Sequence, residues 1–213
     1  MIIEFIDAII IYKRAPLIAK AKRIKGDCTQ MTSILSSTDI YLSKAEFVDW
    51  FSLYHNIWSR PESNRYMLWN LTTNEDDAKL RMERTIEYQK THHAYTIYTM
   101  TSRQAIGFAG LAEIEPHIWE DTGIALGSDY TGKGYGKQVL KLLLDSVKSL
   151  GGEKFIYSTR AANTASIALA LSCGFTYDRS EQKQDPRNGE PYELQYYYKN
   201  LPENMPETFD GHK

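Results

Sequence analysis

The sequence is poor in the features that mark an extracellular or membrane protein. Of its 213 residues only two are cysteine, Cys28 and Cys173, far apart in the chain. Such a pair makes neither a disulfide framework nor a CxxC metal site, and it fits a reducing compartment. No apolar run reaches the ~20 residues a membrane helix needs. The most apolar stretch, Met1 to Tyr12, contains Glu4 and Asp7 and has its basic residues after it. No small-residue cleavage site follows promptly, so it is a poor signal peptide. An excess of one charge is also missing. The 25 basic and 27 acidic residues leave a net charge of −2, which provides no global nucleic-acid-binding surface. No internal repeat or long low-complexity tract is present. These absences predict a cytoplasmic protein with no membrane association that does not act on nucleic acid.

What remains is ordinary globular material. Hydrophobic residues make up 42% and charged residues 24%, close to the average for folded domains. The chain is long enough to bury a core without staples. Both ends differ from the middle. Lys13, Arg14, Lys20, Lys22, Arg23 and Lys25 form a basic stretch with no acid among them. It reads as a solvated helix face or, alternatively, as a contact for RNA, the ribosome or an anionic membrane. Residues 28–38 read as a linker, with Met31 a candidate natural start. Residues 202–213 read as a loose, polar tail. The expected organisation is an N-terminal extension and linker over 1–36, one domain over 37–201, and a flexible tail over 202–213.

Within that domain strand and helix patterns alternate. Ile40-Tyr41-Leu42 is a short strand. Ser43-Lys44-Ala45-Glu46 has the form of a capping box, followed by Phe47, Trp50, Phe51 and Tyr54 on one helical face. Thr73 or Asn74 caps a second helix running to about Lys90, with Glu75, Asp76 and Asp77 in its first turn. Residues 94–100, 105–115 and 122–126 read as strands. The helix over 134–150 buries Val139, Leu140, Leu143, Leu144, Val147 and Leu150 and ends at Gly151-Gly152. A strand over 155–159 follows, then a short helix capped by Asn163 and ended by Gly174. Strands over 175–183 and 190–199 flank a turn through residues 185–189. This order predicts a mixed α/β domain built on one sheet.

The richest stretch runs from Ile124 to Lys137, where a strand enters a glycine-rich turn that opens a helix. Helix N-termini leave amides unpaired and carry partial positive charge, so they bind phosphate. Gly132, Gly134 and Gly136 let the backbone approach a ligand closely, and Lys133 and Lys137 add charge. Two nucleotide motifs fail here for want of a residue with a physical job. A P-loop needs Ser or Thr where Gly134 stands. The dinucleotide fingerprint needs a third glycine where Lys137 stands.

The segment Thr131-Gly132-Lys133-Gly134-Tyr135-Gly136 instead resembles the Gln/Arg-x-x-Gly-x-Gly/Ala turn of the GCN5-related N-acetyltransferase (GNAT) superfamily, with Thr131 departing from its Gln/Arg. Asn163-Thr164-Ala165-Ser166, followed by Cys173-Gly174-Phe175, is similar to that family's Asn-x-x-Ser…Gly-Phe segment. In detail it resembles the branch that acetylates N-termini of ribosomal proteins. The resemblance covers residues 38–201. It implies a mostly antiparallel sheet splayed at its centre and flanked by helices on both faces. It implies acetyl-CoA as co-substrate and no metal. Ile124, Ala125 and Leu126 would pair with the pantetheine arm, Thr131, Gly132, Lys133, Gly134, Tyr135, Gly136 and Lys137 would hold the pyrophosphate, and Asn163 and Ser166 would contact the sulfur end. The acceptor would be a primary amine, on a protein N-terminus or a small molecule, and the protein a monomer or homodimer.

The implied reaction is direct attack of an amine on a thioester. An α-amino group titrates at about 7.7–8.0, so a modest base suffices, and a thiol at about 8.5 leaves with little help. A strand amide near Leu126 is a natural oxyanion donor. Some N-terminal acetyltransferases of that family carry a Glu five residues before the Asn and a Tyr seven after it; here these positions hold Ser158 and Ala170. Glu120 and Asp121 are therefore the candidate bases, acting directly or through water, and Ser166 the candidate proton donor to sulfur. Trp58, Trp69, His117, Tyr192, Tyr196 and Tyr198 are candidates to border the acceptor. His92-His93 lacks spaced metal partners, and Cys173 reads as a buried small residue. Two alternatives stand beside this reading: a non-catalytic acyl-CoA-binding or regulatory domain on the same fold, and a ribosome- or RNA-associated adaptor working through residues 13–25.

Overall fold

The computed structural model describes residues 34–201. The basic stretch over 13–25, Cys28, Met31 and the expected tail over 202–213 lie outside the described residues. One eight-stranded sheet organises the rest. Its strands are β1 (Leu35–Ser36), β2 (Ile40–Ser43), β3 (His93–Thr99), β4 (Ala105–Glu115), β5 (Ile118–Leu126), β6 (Lys154–Arg160), β7 (Thr176–Gln184) and β8 (Pro191–Asn200). They lie in the order β1-β2-β3-β4-β5-β6-β8-β7. Every neighbouring pair is antiparallel except β5 and β6, which run parallel. Leu35 and Ser36 pair with Leu42 and Tyr41, so the sheet starts inside the stretch that reads as a linker.

The period-2 alternation of the strands feeds two cores, one on each face. Ile40, Leu42 and Ile97 point to the face covered by helix α4 (Tyr135–Ser149), where Val139, Leu140, Leu143 and Val147 are fully buried. Their neighbours Tyr41 and Tyr98 point to the other face, against helix α3 (Glu75–Gln89) and its Ala78 and Met82. Asn74 caps α3, its Oδ1 accepting from the Asp77 N–H at 2.9 Å. Asn163 caps helix α5 (Thr164–Ser172) in the same way, accepting from Ser166 N–H at 3.2 Å. Gly151 ends α4 at φ 75°. Leu150, expected in the buried stripe of α4, is instead 43% exposed, because it stands past the last helical turn.

The helix after β2 departs from expectation. Ser43 is the last residue of β2, and the cap forms three residues later, where Asp49 accepts from the Glu46 backbone N–H at 2.7 Å. The helical segment α1 over 47–58 passes from a 3-10 turn through one α turn into a π turn. Phe47 and Phe51 face outward, while Leu53, Ile57 and Trp58 are buried. The change of helical pitch rotates the apolar face away from the one a regular 3.6-residue period predicts. A short helix α2 (Pro61–Asn64) follows. Among the described residues no helix is long and apolar enough to cross a membrane.

Candidate active site

The site lies where the sheet fails to close. β5 and β6 pair only at Ile118↔Lys154, Trp119↔Phe155 and Glu120↔Ile156. Beyond Glu120, β5 stays with β4 as far as Leu126, and β6 stays with β8 as far as Arg160. The strands diverge and leave two unpaired backbone edges facing a gap, which need partners of some kind. A bulge drives the divergence. Leu111 pairs with Asp121 but Gly110 with Gly123, so Thr122 is the extra residue, and bulges bend a strand and raise its twist. Gly110 makes this possible, since a Cβ there would collide with Thr122 Oγ1.

Polar groups from both strands meet at the mouth of this gap. Asp121 Oδ1 accepts from the Ser158 backbone N–H at 2.8 Å, across from β6. The Ser158 hydroxyl donates to Glu120 Oε1 at 3.2 Å. Both acids are buried. Asp121, Thr122, Tyr157, Asn163 and Ser166 line a cavity of about 80 Å³ here. The Tyr157 hydroxyl lies 2.6 Å from Ser166 Oγ. Burial pushes the Tyr157 phenol well above its usual value and the Asp121 charge adds to this, while the Ser166 hydrogen bond opposes it. Ser158 stands where relatives carry Glu, and it serves as a clamp on two carboxylates. Ala170, in the relatives' Tyr position, is fully buried core. Tyr157 brings a phenol to the gap from the strand instead.

The glycine-rich turn continues directly from β5. Residues Ser128–Tyr130 make one 3-10 turn, and the Thr131 hydroxyl donates to Ser128 O at 2.8 Å. The residue at the Gln/Arg position thus stabilises the turn. Gly132 and Gly134 adopt φ 71° and 78°, a region that costs other residues. Gly134 is the N-cap of α4 and offers no side-chain cap, so the first amides of that helix await an acceptor. A Cβ on either Gly132 or Gly134 would meet no protein atom within 4 Å. Gly136 instead sits under Leu169 of α5. An uncapped helix start with open space above two glycines is what a diphosphate requires, so these residues fit acetyl-CoA. Among the described residues no cluster of His, Cys, Asp and Glu has the form of a metal site.

The structure therefore brings Asp121, Asn163 and Ser166 together on the smaller cavity, with Ile124 on its wall and Ala125 and Leu126 further along β5. Glu120 lines neither cavity and is joined to this group through Ser158. Residues 131–137 follow at the start of α4. Other candidates separate. Trp58 and Trp69 line a larger cavity of about 330 Å³ on the α3 face, and Tyr192 lines the smaller one. Tyr196 and Tyr198 line neither cavity. Tyr196 hydroxyl donates to Glu181 at 3.3 Å, and Lys154 covers the Tyr198 ring. His117 is at the other end of β5, in the β4–β5 turn, with Nδ1 2.9 Å from Gly151 O. His92 stacks on Tyr88, and His93 meets the Trp119 edge. Cys173 is half-buried, not fully, and its carbonyl accepts from Lys199 Nζ at 2.6 Å.

Residues 39–176 match the acetyltransferase (GNAT) domain family, and the chain belongs to that family of acetyltransferases. It is 27% identical over 84 residues to mycothiol acetyltransferase of Corynebacterium glutamicum, a match that covers 39% of this chain and 29% of that protein. The chain thus spans less than a third of that relative's length. Its fold is that of the Salmonella typhimurium acetyl transferase that modifies the N-terminal serine of ribosomal protein L7/L12. The TM-score there is 0.66 at 19% identity, covering 80% of this chain and 100% of that one. It is equally that of the Microcin C7 self immunity acetyltransferase, solved with acetyl-CoA and AMP. The TM-score there is 0.66 at 23% identity, covering 78% of this chain and 94% of that one.

Proposed function

We propose that the protein transfers the acetyl group of acetyl-CoA to a primary amine by direct attack on the thioester. The observation that carries this reading is the open β5 edge leading into an uncapped helix start. Backbone groups of Ile124, Ala125 and Leu126 hold the pantetheine as an added strand would be held. Amides of residues 132–137 hold the diphosphate, with Lys133 and Lys137 adding positive charge. A β5 amide near Leu126 stabilises the developing oxyanion.

The two acids take different parts. Asp121 ties β6 to β5 at the mouth of the gap and sets its width. Glu120, on the opposite face as consecutive strand residues must be, takes the proton from the incoming ammonium directly or through water. Ser166, paired with Tyr157, gives a proton to the departing sulfur. All of this needs no covalent enzyme intermediate and no metal.

The test is acetyl-CoA-dependent CoA release with a panel of peptides, polyamines, amino acids and aminoglycosides, beside acetyl-CoA binding by calorimetry. Turnover on one class supports the proposal. Tight acetyl-CoA binding with no turnover on any class favours the non-catalytic reading. Glu120→Gln is expected to lower kcat about 100-fold or more, the usual scale for a lost general base, with little change in acetyl-CoA binding. Asp121→Asn is expected to weaken both turnover and acetyl-CoA binding. Wild-type turnover in both variants sinks the assignment of these acids.

A further inference from the structure

The larger cavity holds chemistry that the acetyl-transfer reading does not use. It lies between α3 and the face of β3, β4 and β5 opposite α4, and its volume of about 330 Å³ falls in the range of small-molecule sites. It shares Thr122 and Gly123 with the smaller cavity, so the two meet at the bulge of β5. Its walls include Trp58, Trp69 and Phe108. Three charged side chains line it: Asp77, Arg81 and Arg84. Asp77 is engaged at the cap of α3, where its Oδ2 accepts from Asn74 Nδ2 at 2.7 Å.

Arg81 is the unusual group. Its guanidinium lies 4.8 Å from the Trp58 ring centre and 4.7 Å from that of Trp69. Nη1 donates to Thr72 Oγ1 at 3.0 Å and reaches Asn70 O at 3.5 Å. Among the described residues no carboxylate pairs with it, and Nε and Nη2 have no protein acceptor. Its surroundings disfavour its charge, although the side chain is only half-buried and arginine keeps its charge in proteins. The indole N–H of Trp69, on the same cavity, is buried without an acceptor. A cation that has lost part of its water gains from a counter-charge. This one is stacked in place by two rings, with two of its three nitrogens unspent. A fork of that kind matches carboxylate and phosphate oxygens.

We propose that this cavity receives the acceptor, and that Arg81 selects amines carrying an anionic group, a carboxylate or a phosphate. The inference rests on the acetyl-transfer reading above. The anion meets Nε and Nη2 of Arg81, with Arg84 adding charge. The apolar body of the acceptor packs on Trp69 and Phe108. The amine then points toward Thr122 and Gly123, where β5 carries the thioester. Free amino acids and phosphorylated amines satisfy this chemistry; neutral or polycationic amines do not.

Two matched pairs test it and separate the two anions: L-phenylalanine against L-phenylalaninamide, and phosphoethanolamine against ethanolamine. CoA release is followed at saturating acetyl-CoA. The anionic member of at least one pair is expected to show a kcat/KM about tenfold or more above the partner that lacks the anion, ~1.4 kcal/mol. In Arg81→Gln that preference should fall to within about twofold, through KM, and Arg81→Lys should restore part of it. Equal or reversed preference in both pairs overturns the proposal, as does a preference that survives in Arg81→Gln. The wild-type comparison stands even if a variant folds poorly. Titration of the same four compounds into the protein without acetyl-CoA reads the anion site independently of turnover. Binding of an anionic member that is lost in Arg81→Gln supports it, and no binding of either anionic member overturns it. Failure to bind acetyl-CoA would sink the acetyl-transfer reading alone.

Discussion

Gly134 and Gly151 bracket helix α4 and make a matched pair for testing the diphosphate site. Gly134 stands at the N-cap with φ 78°, and Gly151 just past the C-terminus with φ 75°. At both, a Cβ would meet no protein atom within 4 Å. Alanine therefore brings no steric collision at either end, and its cost is backbone strain alone. A left-handed conformation costs an L-residue about 1–2 kcal/mol, and the stiffer unfolded chain returns about 0.4–1 kcal/mol. Each variant should lose about 1 kcal/mol, or roughly 2–4 °C in Tm for a chain of this size. Acetyl-CoA binding should then part them. The Gly134→Ala methyl enters the space that the diphosphate must occupy, and affinity should drop about tenfold or more, ~1.4 kcal/mol. Gly151→Ala should bind as the wild type does. Calorimetric titration of acetyl-CoA into the three proteins, beside thermal melts, gives both quantities. If Gly134→Ala shows the expected melt and wild-type affinity, the turn is not the diphosphate site.

Two further predictions concern stability. Asp185 is buried and receives Arg160 at 2.6 Å and Arg187 at 2.7 Å. The Arg187 hydrogen bond holds its carboxyl far below the usual value, with burial opposing and Arg160 assisting. A depressed carboxyl contributes stability that is complete above its unfolded value of about 3.9 and is lost as pH falls below it. Asp185→Asn should cost about 3 kcal/mol at neutral pH, the low end for a broken buried pair because both arginines keep some water. Urea denaturation from pH 7 down to 3 should show the difference shrinking on the acid side; a constant difference would contradict the linkage. Leu140 is fully buried in α4 while Leu150 is 43% exposed. Leu140→Ala should cost about 2–5 kcal/mol and Leu150→Ala no more than about 0.5 kcal/mol, and equal losses in urea would show the burial to be misassigned.

What the sequence revealed, it revealed where one local rule decides the structure. α4 is legible because its apolar residues follow the helical period and a glycine stands at each end. The glycine-rich turn is legible because it is made of backbone, and glycines report backbone directly. α1 is not legible, since its apolar residues point in several directions and its pitch changes twice within 47–58. A regular period then selects Phe47 and Phe51, which are exposed, over Leu53 and Ile57. The Ser158 clamp is invisible for another reason. It joins residues 38 apart across a gap in the sheet, and no pattern within one element encodes it. Arg81 hides among Lys79, Glu83 and Arg84, a charge run that reads as a solvated helix face. The two tryptophans that stack on it come from the end of α1 and the loop before α3.

The adjacency of Glu120 and Asp121 makes one candidate base in the sequence but two different groups in the fold. Consecutive strand residues face opposite ways. Asp121 stands with Tyr157, whose phenol responds to its charge, and both line the cavity that also contains Ser166 and Asn163. Glu120 lies on the other face, within reach of Tyr196, which its charge helps to push up after burial and Glu181. Ser158 links the two, offering its amide to one and its hydroxyl to the other. A base must stand on the acceptor's side of the thioester, and the cavity proposed for the acceptor lies on the α3 face, away from α4 and α5. On the proposed reading Glu120 is then the acid on the acceptor's face, and Asp121 the one that ties β6 to β5. The bulge at Thr122 completes the division. By resetting which β5 side chains face which way, it turns Ile124 and Leu126 back toward the α4 core and leaves Thr122 and Gly123 as the wall shared by both cavities.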